Sequence, residues 1–300
     1  MSERIQQWLL RSGLGQRLVI GVPFGWLLAM TAIPMLIILQ FSFSQMGEAT
    51  IVRPWSFTDG VLSVKVDFNK YQFLFTDSLY VATYLSSVKY AAINTALCLA
   101  IGYPFAYFLA RSPEHIRPSL LMAVMLPFWT SFLIRIYSWK GLLATNGLFN
   151  NVLLGMGVIH EPLQMLNTPF SLTLGMVYTY LPFMILPLVA NLQKFDTRLL
   201  EAAADLGATP WKAFWLVTVP LSKNGIVAGS MLVFIPSLGE YVIPELLGGP
   251  ETLMIGRVLW DEFFGNNDWA MASAVAVVMI LLILVPMAVF NKFQHKGEKS

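Results

Sequence analysis

Charge is scarce in this chain. Only 12% of its 300 residues are Asp, Glu, Lys or Arg, about half the share carried by a soluble domain. Cysteine is nearly absent. Cys98 stands alone inside an apolar run, which excludes an intrachain disulfide framework. Histidine occurs three times, at His115, His160 and His295. These lie in three different segments, so they form neither a metal cluster nor a catalytic triad. No G-x-x-x-x-G-K-[ST] sequence occurs, so the chain does not bind and split ATP through a phosphate-binding loop. H-E-x-x-H and G-x-S-x-G are missing as well. A net charge of +2 gives no argument for a nucleic-acid partner. No small-residue cleavage site follows the first apolar run, which is itself long enough to span.

What the chain has is apolar surface, at 56% of residues. A bilayer core needs about 20 consecutive apolar residues. Charge-free runs of that order predict six spans, at about 19–41, 84–110, 118–140, 168–193, 224–246 and 269–291. The expected organisation is a tail or interfacial helix over 1–18, with Trp8 as its anchor, then a six-helix domain over 19–293 and a short tail over 294–300. Residues 42–83 form the longest loop, and Thr58-Asp59-Gly60 within it marks a turn between short strand-like stretches.

Basic residues set the orientation. Arg4, Arg11 and Arg17, then Arg111 and Arg117, then Lys194, Arg198, Lys212 and Lys223, then Lys292, Lys296 and Lys299 all fall on one side. Those are twelve of the 19 Lys and Arg. The opposite loops are acidic, with Glu48, Asp59, Asp67, Asp77, Glu161, Glu251, Asp261, Glu262 and Asp268. Both termini and the loop over 194–220 are therefore expected in the cytoplasm.

That loop, KFDTRLLEAAADLGATPWKAFWLVTVP, is the longest charged interval between two apolar segments. Asp196 or Thr197 can cap a first helix that carries Leu199, Ala203 and Leu206 on one face. Gly207 is placed to end it. Thr209 and Pro210 start a second helix with Trp211, Phe214, Trp215 and Thr218 at helical spacing, and Pro220 closes the unit. A polar helix pair with an apolar stripe can dock a soluble partner. The plainer alternative is an amphipathic loop lying on lipid.

The residues Glu201-Ala202-Ala203, Gly207 and Val217-Thr218-Val219-Pro220 resemble the EAA loop of binding-protein-dependent ABC importer permeases. Their spacing fits that pattern throughout, with valines in place of the usual Ile and Leu. The resemblance implies an all-α type I importer permease fold, with the loop docked in a groove of an ATPase subunit. Coupling would then run through Leu199, Glu201, Ala202, Ala203, Leu206, Gly207, Trp211, Phe214 and Pro220. LPFWTSFLIRIYSW at 126–139, GEYVIPELLGG at 239–249 and IGRVLWDEFF at 255–264 are similar to polyamine importer permeases. They are nearest the first permease subunit of putrescine importers, with the spermidine importer's counterpart as the sister alternative. This resemblance implies an inner-membrane complex with a second related permease, two ATPase subunits and a periplasmic polyamine-binding protein. ATP and magnesium would then belong to the ATPase chains, with no cofactor and no metal in this one.

A polyamine path needs acids, carbonyls and aromatic faces for cation–π contacts. Glu240, Tyr241, Glu245, Asp261, Trp129, Tyr137, Tyr178 and Tyr180 are the path candidates, with Trp139, Glu262 and Trp260 near them. Charges inside a bilayer are functional by default, whereas interfacial Trp and Tyr belts are ordinary. Depth introduces an alternative for one acid. On straight helices, Glu240 and Arg135 would lie roughly 24 Å and 26 Å from the same membrane face at 1.5 Å per residue. They can pair structurally, which would leave Glu245 or Asp261 as the better substrate acid. The competing functions are a permease for another small cation and a self-contained secondary transporter using Glu240 or Glu245 as a proton relay. A membrane enzyme lacks any converging acid, base and metal set.

Overall fold

Asp77 starts a helix of 34 residues, its carboxylate accepting a 2.7 Å hydrogen bond from the Leu79 N–H. The computed structural model describes residues 14–46, 51–52, 55–58, 61–64, 66–196 and 198–297. The expected interfacial helix with Trp8 lies outside them. Within the described residues the chain divides into two units, Met1–Phe73 with Glu262–Val278, and Leu74–Asp261 with Met279–Ser300.

The first unit opens on α1 (Leu14–Ser42), whose apolar residues from Val19 onward are largely exposed. Such a surface is stable in lipid and not in water. Two short antiparallel hairpins follow: β1 (Gln45–Met46) pairs with β2 (Ile51–Val52), and β3 (Trp55–Thr58) with β4 (Val61–Val64). Thr58 faces Val61 across the second hairpin; Asp59 and Gly60 of the expected turn lie outside the described residues. The end of α1 is tied to the start of α2 (Asn69–Thr76). The Tyr71 hydroxyl donates to Ser42 Oγ at 2.7 Å, Lys70 donates to the Ser44 carbonyl, and Phe43 packs edge-on against Phe68. The Asn69 N–H bonds the Asp67 carboxylate, which holds that carboxyl below the usual range. Farther along, Asp268 caps α13 (Trp269–Gly297) by accepting from the Met271 N–H at 2.8 Å.

The second unit is built on three helices: α3 (Ser78–Arg111), α7 (Pro169–Leu192) and, farther on, α10 (Lys223–Leu238). Their shared core holds Cys98, Ala106, Met176, Met184, Leu188 and Val233, all essentially inaccessible. Between hydrocarbon-loving helices, packing rather than the hydrophobic effect drives association, and small residues permit it. A Cβ on Gly229 would sit 2.8 Å from the Met184 sulfur and 3.1 Å from the Met184 carbonyl oxygen. On Gly225 it would meet the Asn191 Cβ at 2.7 Å. A buried polar link reinforces the contact, Asn94 donating to Ser237 at 2.7 Å.

Four elements depart from straight spans. The run expected as one helix over 118–140 is instead α4 (Arg117–Met125), a 3₁₀ turn at Leu126–Trp129 and α5 (Phe132–Leu143), continued by α6 (Leu148–Gly155). Its two limbs, Arg117–Trp129 and Phe132–Gly155, are bent by 83°. Pro127 removes a backbone donor there, and the Thr130 hydroxyl takes the Pro127 carbonyl at 2.8 Å. The span expected over 224–246 ends at Leu238, and α11 (Val242–Leu247) is a separate helix. Before it, α8 (Arg198–Asp205) and α9 (Pro210–Leu221) form the predicted pair, and α9 meets α10 at 65°. After it come α12 (Ile255–Trp260) and a π turn at Asp261–Gly265. By length and composition, the described residues hold four helices able to cross a membrane, or six if each bent pair is one span.

The glycine contacts yield a prediction. Gly229→Leu should lower the thermal midpoint of the detergent-purified protein, with a cost of about 1–3 kcal/mol from overpacking. Gly21→Leu, which has no neighbour within 4 Å of its would-be Cβ, should leave the midpoint unchanged.

Candidate functional site: a docking helix pair and a clustered acid–aromatic region

The helix pair α8–α9 is built by local chemistry. Asp196 caps α8, accepting from the Arg198 N–H at 3.0 Å; Thr197 lies outside the described residues. Gly207 takes φ of +83°, where an L side chain is strained, and turns the chain between the helices. Thr209 caps α9 by accepting from the Lys212 N–H at 3.4 Å, with Pro210 at its first position. Pro220 does not close the unit, because α9 runs on to Leu221. A π turn at Phe214–Thr218 makes this possible. The Val219 N–H reaches back five residues to the Phe214 carbonyl, so the ladder has already shifted register before the proline.

The exposed side of this pair is apolar where it should be polar. Leu206 is 90% exposed and Trp211 70%, with Leu199 and Trp215 also open. Glu201 and Ala202 are exposed beside them, and Ala203 is half-buried. Phe214 turns the other way and anchors α9 to α3, its ring edge-on to Tyr103 at 5.6 Å and to Tyr107 at 5.8 Å. Trp211 stacks on Phe214 at 6.1 Å. The element thus has one face fixed to the helix core and one apolar face uncovered.

The second region surrounds the break between α10 and α11. The Glu240 carboxylate accepts from the Tyr180 hydroxyl, from the Val242 N–H at 3.1 Å and from the Ile243 N–H at 3.5 Å. Tyr180, only 6% exposed, holds it from the middle of α7. Glu240 is therefore a cap for α11. The Arg135–Glu240 ion pair offered as an alternative by depth does not form. The 83° bend defeats the straight-helix depth estimate, and Arg135 instead lies over the Phe128 ring at 4.9 Å. Phe128 meets Phe183, and Phe183 meets Tyr180, so aromatic rings separate the two charges.

Glu245, on α11, pairs with Arg257 on α12, with 2.6 Å between Oε2 and Nε. The contact is ionic, since the Nε–H does not lie along it. Tyr241 stacks on Trp260 between the same two elements, with ring centroids 4.6 Å apart and planes within 8°. Gly256 allows this approach: a Cβ there would lie 2.5 Å from the Gly239 carbonyl oxygen. The other path candidates are dispersed. Trp129 is 71% exposed and Tyr137 is open, while Tyr178 is half-buried edge-on to Trp139 at 5.4 Å. Asp261 is exposed on the π turn. Reading the sequence for acids alone missed Arg257, the one base in the 239–264 stretch that already carried Glu245 and Asp261.

Residues 102–296, which include all of α8, α9, α11 and α12, match the family described as binding-protein-dependent transport system inner membrane component. The chain belongs to that family. It is a multi-pass inner-membrane permease component and not an enzyme. The spermidine/putrescine transport system permease protein PotB of Haemophilus influenzae is 39% identical over 274 residues, covering 90% of this chain and 92% of that one. PotB of Salmonella typhimurium strain SL1344 is 39% identical over 275 residues, with 92% of each covered. A chain from the crystal structure of a bacterial alginate ABC transporter, in complex with an alginate pentasaccharide-bound periplasmic protein, superposes with a TM-score of 0.70. That match has 17% identity and covers 99% of both chains. At that identity it establishes the fold: this chain has the helical architecture of an ABC importer permease.

The cap geometry of this permease predicts a coupling. Glu240→Ala and Tyr180→Phe should each destabilise the purified protein, Glu240→Ala by about 1–3 kcal/mol as two buried N–H groups lose their acceptor. The double variant should fall short of the sum by at least about 0.5 kcal/mol. Strict additivity of the thermal shifts would mean that the two groups do not act together.

Proposed function

We propose that this permease forms half of the translocation path of an ATP-driven polyamine importer, with putrescine the first substrate and spermidine the next. Near-full-length likeness to permeases of spermidine/putrescine systems carries the reading. The polyamine assignment rests mainly on the segments over 126–139 and 239–264. The partners are a second permease, two ATPase subunits that hold ATP and magnesium, and a periplasmic polyamine-binding protein. Both termini and α8–α9 face the cytoplasm, on the side of the twelve basic residues.

In this reading the uncovered face of α8–α9 sits in a groove of the ATPase. Leu199, Leu206 and Trp211 fill the groove, and Glu201 lies at its rim. ATP binding closes the ATPase pair and moves α8–α9, and Phe214 passes the motion to α3 through Tyr103 and Tyr107. The ATPase dimer drives the shift because its affinity differs between the two permease states. Since Glu240 is committed to capping α11, Glu245 and Asp261 are the acids left for a polyamine. An incoming ammonium takes the place of Arg257 on Glu245, with the Tyr241 and Trp260 rings offering cation–π contacts beside it.

The test is uptake of putrescine and spermidine into vesicles that contain the whole complex, with binding protein and ATP. Glu201→Lys or Gly207→Asp should reduce uptake to background while the chain still inserts. ATP-dependent uptake retained in either variant would remove the coupling role. Uptake that needs no ATPase would favour a secondary carrier.

A further inference from the structure

Two apolar cavities flank the basic end of α3. The larger, about 820 Å³, lies between α3, α9 and α10 and is lined by Leu99, Tyr103, Tyr107, Trp211, Phe214 and Ile226 among others. The smaller, about 330 Å³, is lined by Phe108, Arg111, Ser112, Pro113, Ile116 and Leu120. Both volumes fall in the range of small-molecule sites, about 300–1,000 Å³. Tyr107 and Phe108 face different sides of α3, and Arg111 stands one turn beyond both. Its guanidinium lies over the Tyr107 ring at 5.0 Å and also lines the smaller cavity. One cation therefore sits between two greasy clefts.

The depth is that of a lipid headgroup. α3 has 34 residues, about 51 Å at 1.5 Å per residue, against about 30 Å of hydrocarbon. Its last turn consequently reaches the polar boundary. The α3 carbonyls there do not repel an anion freely, because Arg117 Nη2 already bonds the Ala110 and Ser112 carbonyls at 3.1 and 2.8 Å. Arg117 Nε is buried without a partner. Among the described residues no acid pairs with Arg111.

We propose that this end of α3 binds one anionic phospholipid, its phosphate at Arg111 beside Arg117 and its two acyl chains in the two cavities. The paired clefts with a cation between them fit a diacyl phosphodiester better than they fit a helix of a partner permease. A partner helix would meet uncompensated charge. The lipid would also touch Phe214, so its presence would stiffen the link between α9 and α3.

Native mass spectrometry of the complete complex, delipidated and then titrated with phosphatidylglycerol or phosphatidylcholine of identical acyl chains, tests this. The wild-type complex should retain phosphatidylglycerol in preference. Arg111→Gln should lower that preference about fivefold, the factor expected per basic residue near a membrane surface. Ala100→Phe, which places a ring in the larger cavity, should weaken retention of both lipids. Equal retention of the two lipids by the wild type, or an unchanged preference in Arg111→Gln, would overturn the proposal. So would an Ala100→Phe complex that keeps its lipid but loses the second permease, which would assign the cavity to a protein partner. Arg111 is exposed at the end of α3, so its variant remains informative if Ala100→Phe fails to assemble.

Discussion

Backbone-close packing of α3, α7 and α10 is the constraint on which the second unit of this chain depends. In lipid, two helices gain nothing from burying leucine against each other, because the solvent is equally apolar. What remains is dispersion at short range and a few polar links. Gly225 and Gly229 let α10 approach α7 until Met184 and Asn191 touch its backbone. Gly102 does the same for α3 against Met184 and Ile185. The Asn94–Ser237 hydrogen bond then has a dry environment and no competing water. This bundle is the rigid frame to which α8–α9 and α11–α12 are attached.

A frame of this kind tolerates broken helices only if every freed backbone group finds a partner. The breaks in this chain are repaired by side chains of ordinary type. Glu240 supplies an acceptor to two N–H groups at the start of α11, and Ser87 takes the Ile255 N–H at the start of α12 at 2.7 Å. Ser171 donates to the Leu247 carbonyl at the end of α11 at 2.6 Å. Such repairs explain why an intramembrane acid can be structural. The charge of Glu240 is consumed by its own backbone and by Tyr180, whereas the partner of Glu245 is the Arg257 side chain.

Parts of this arrangement are legible in the sequence alone. Charge-free runs pointed to a multi-pass chain, and the caps at Asp196 and Thr209 with Gly207 between them announced α8 and α9. These features are local, and local rules of capping and hydropathy suffice for them. The 83° bend at 126–131 was not legible in the same way. Proline recurs in most of these spans, and its presence at 127 does not say how far a helix turns. The straight-helix estimate that placed Arg135 opposite Glu240 failed for that reason. Arg257 escaped notice because its role exists only once α11 and α12 meet. The π turn that carries α9 past Pro220 likewise follows from anchoring Phe214 between Tyr103 and Tyr107, contacts that join residues more than a hundred positions apart.

The central claim is that the uncovered face of α8–α9 receives motion from an ATPase. A cysteine placed at the exposed Ala202 tests it directly by crosslinking within the assembled complex, since the native Cys98 is fully buried and will not compete. The account predicts one crosslink, to the ATPase subunit, whose yield changes when ATP is bound and again after hydrolysis. No ATPase adduct, or a yield indifferent to nucleotide, would contradict it.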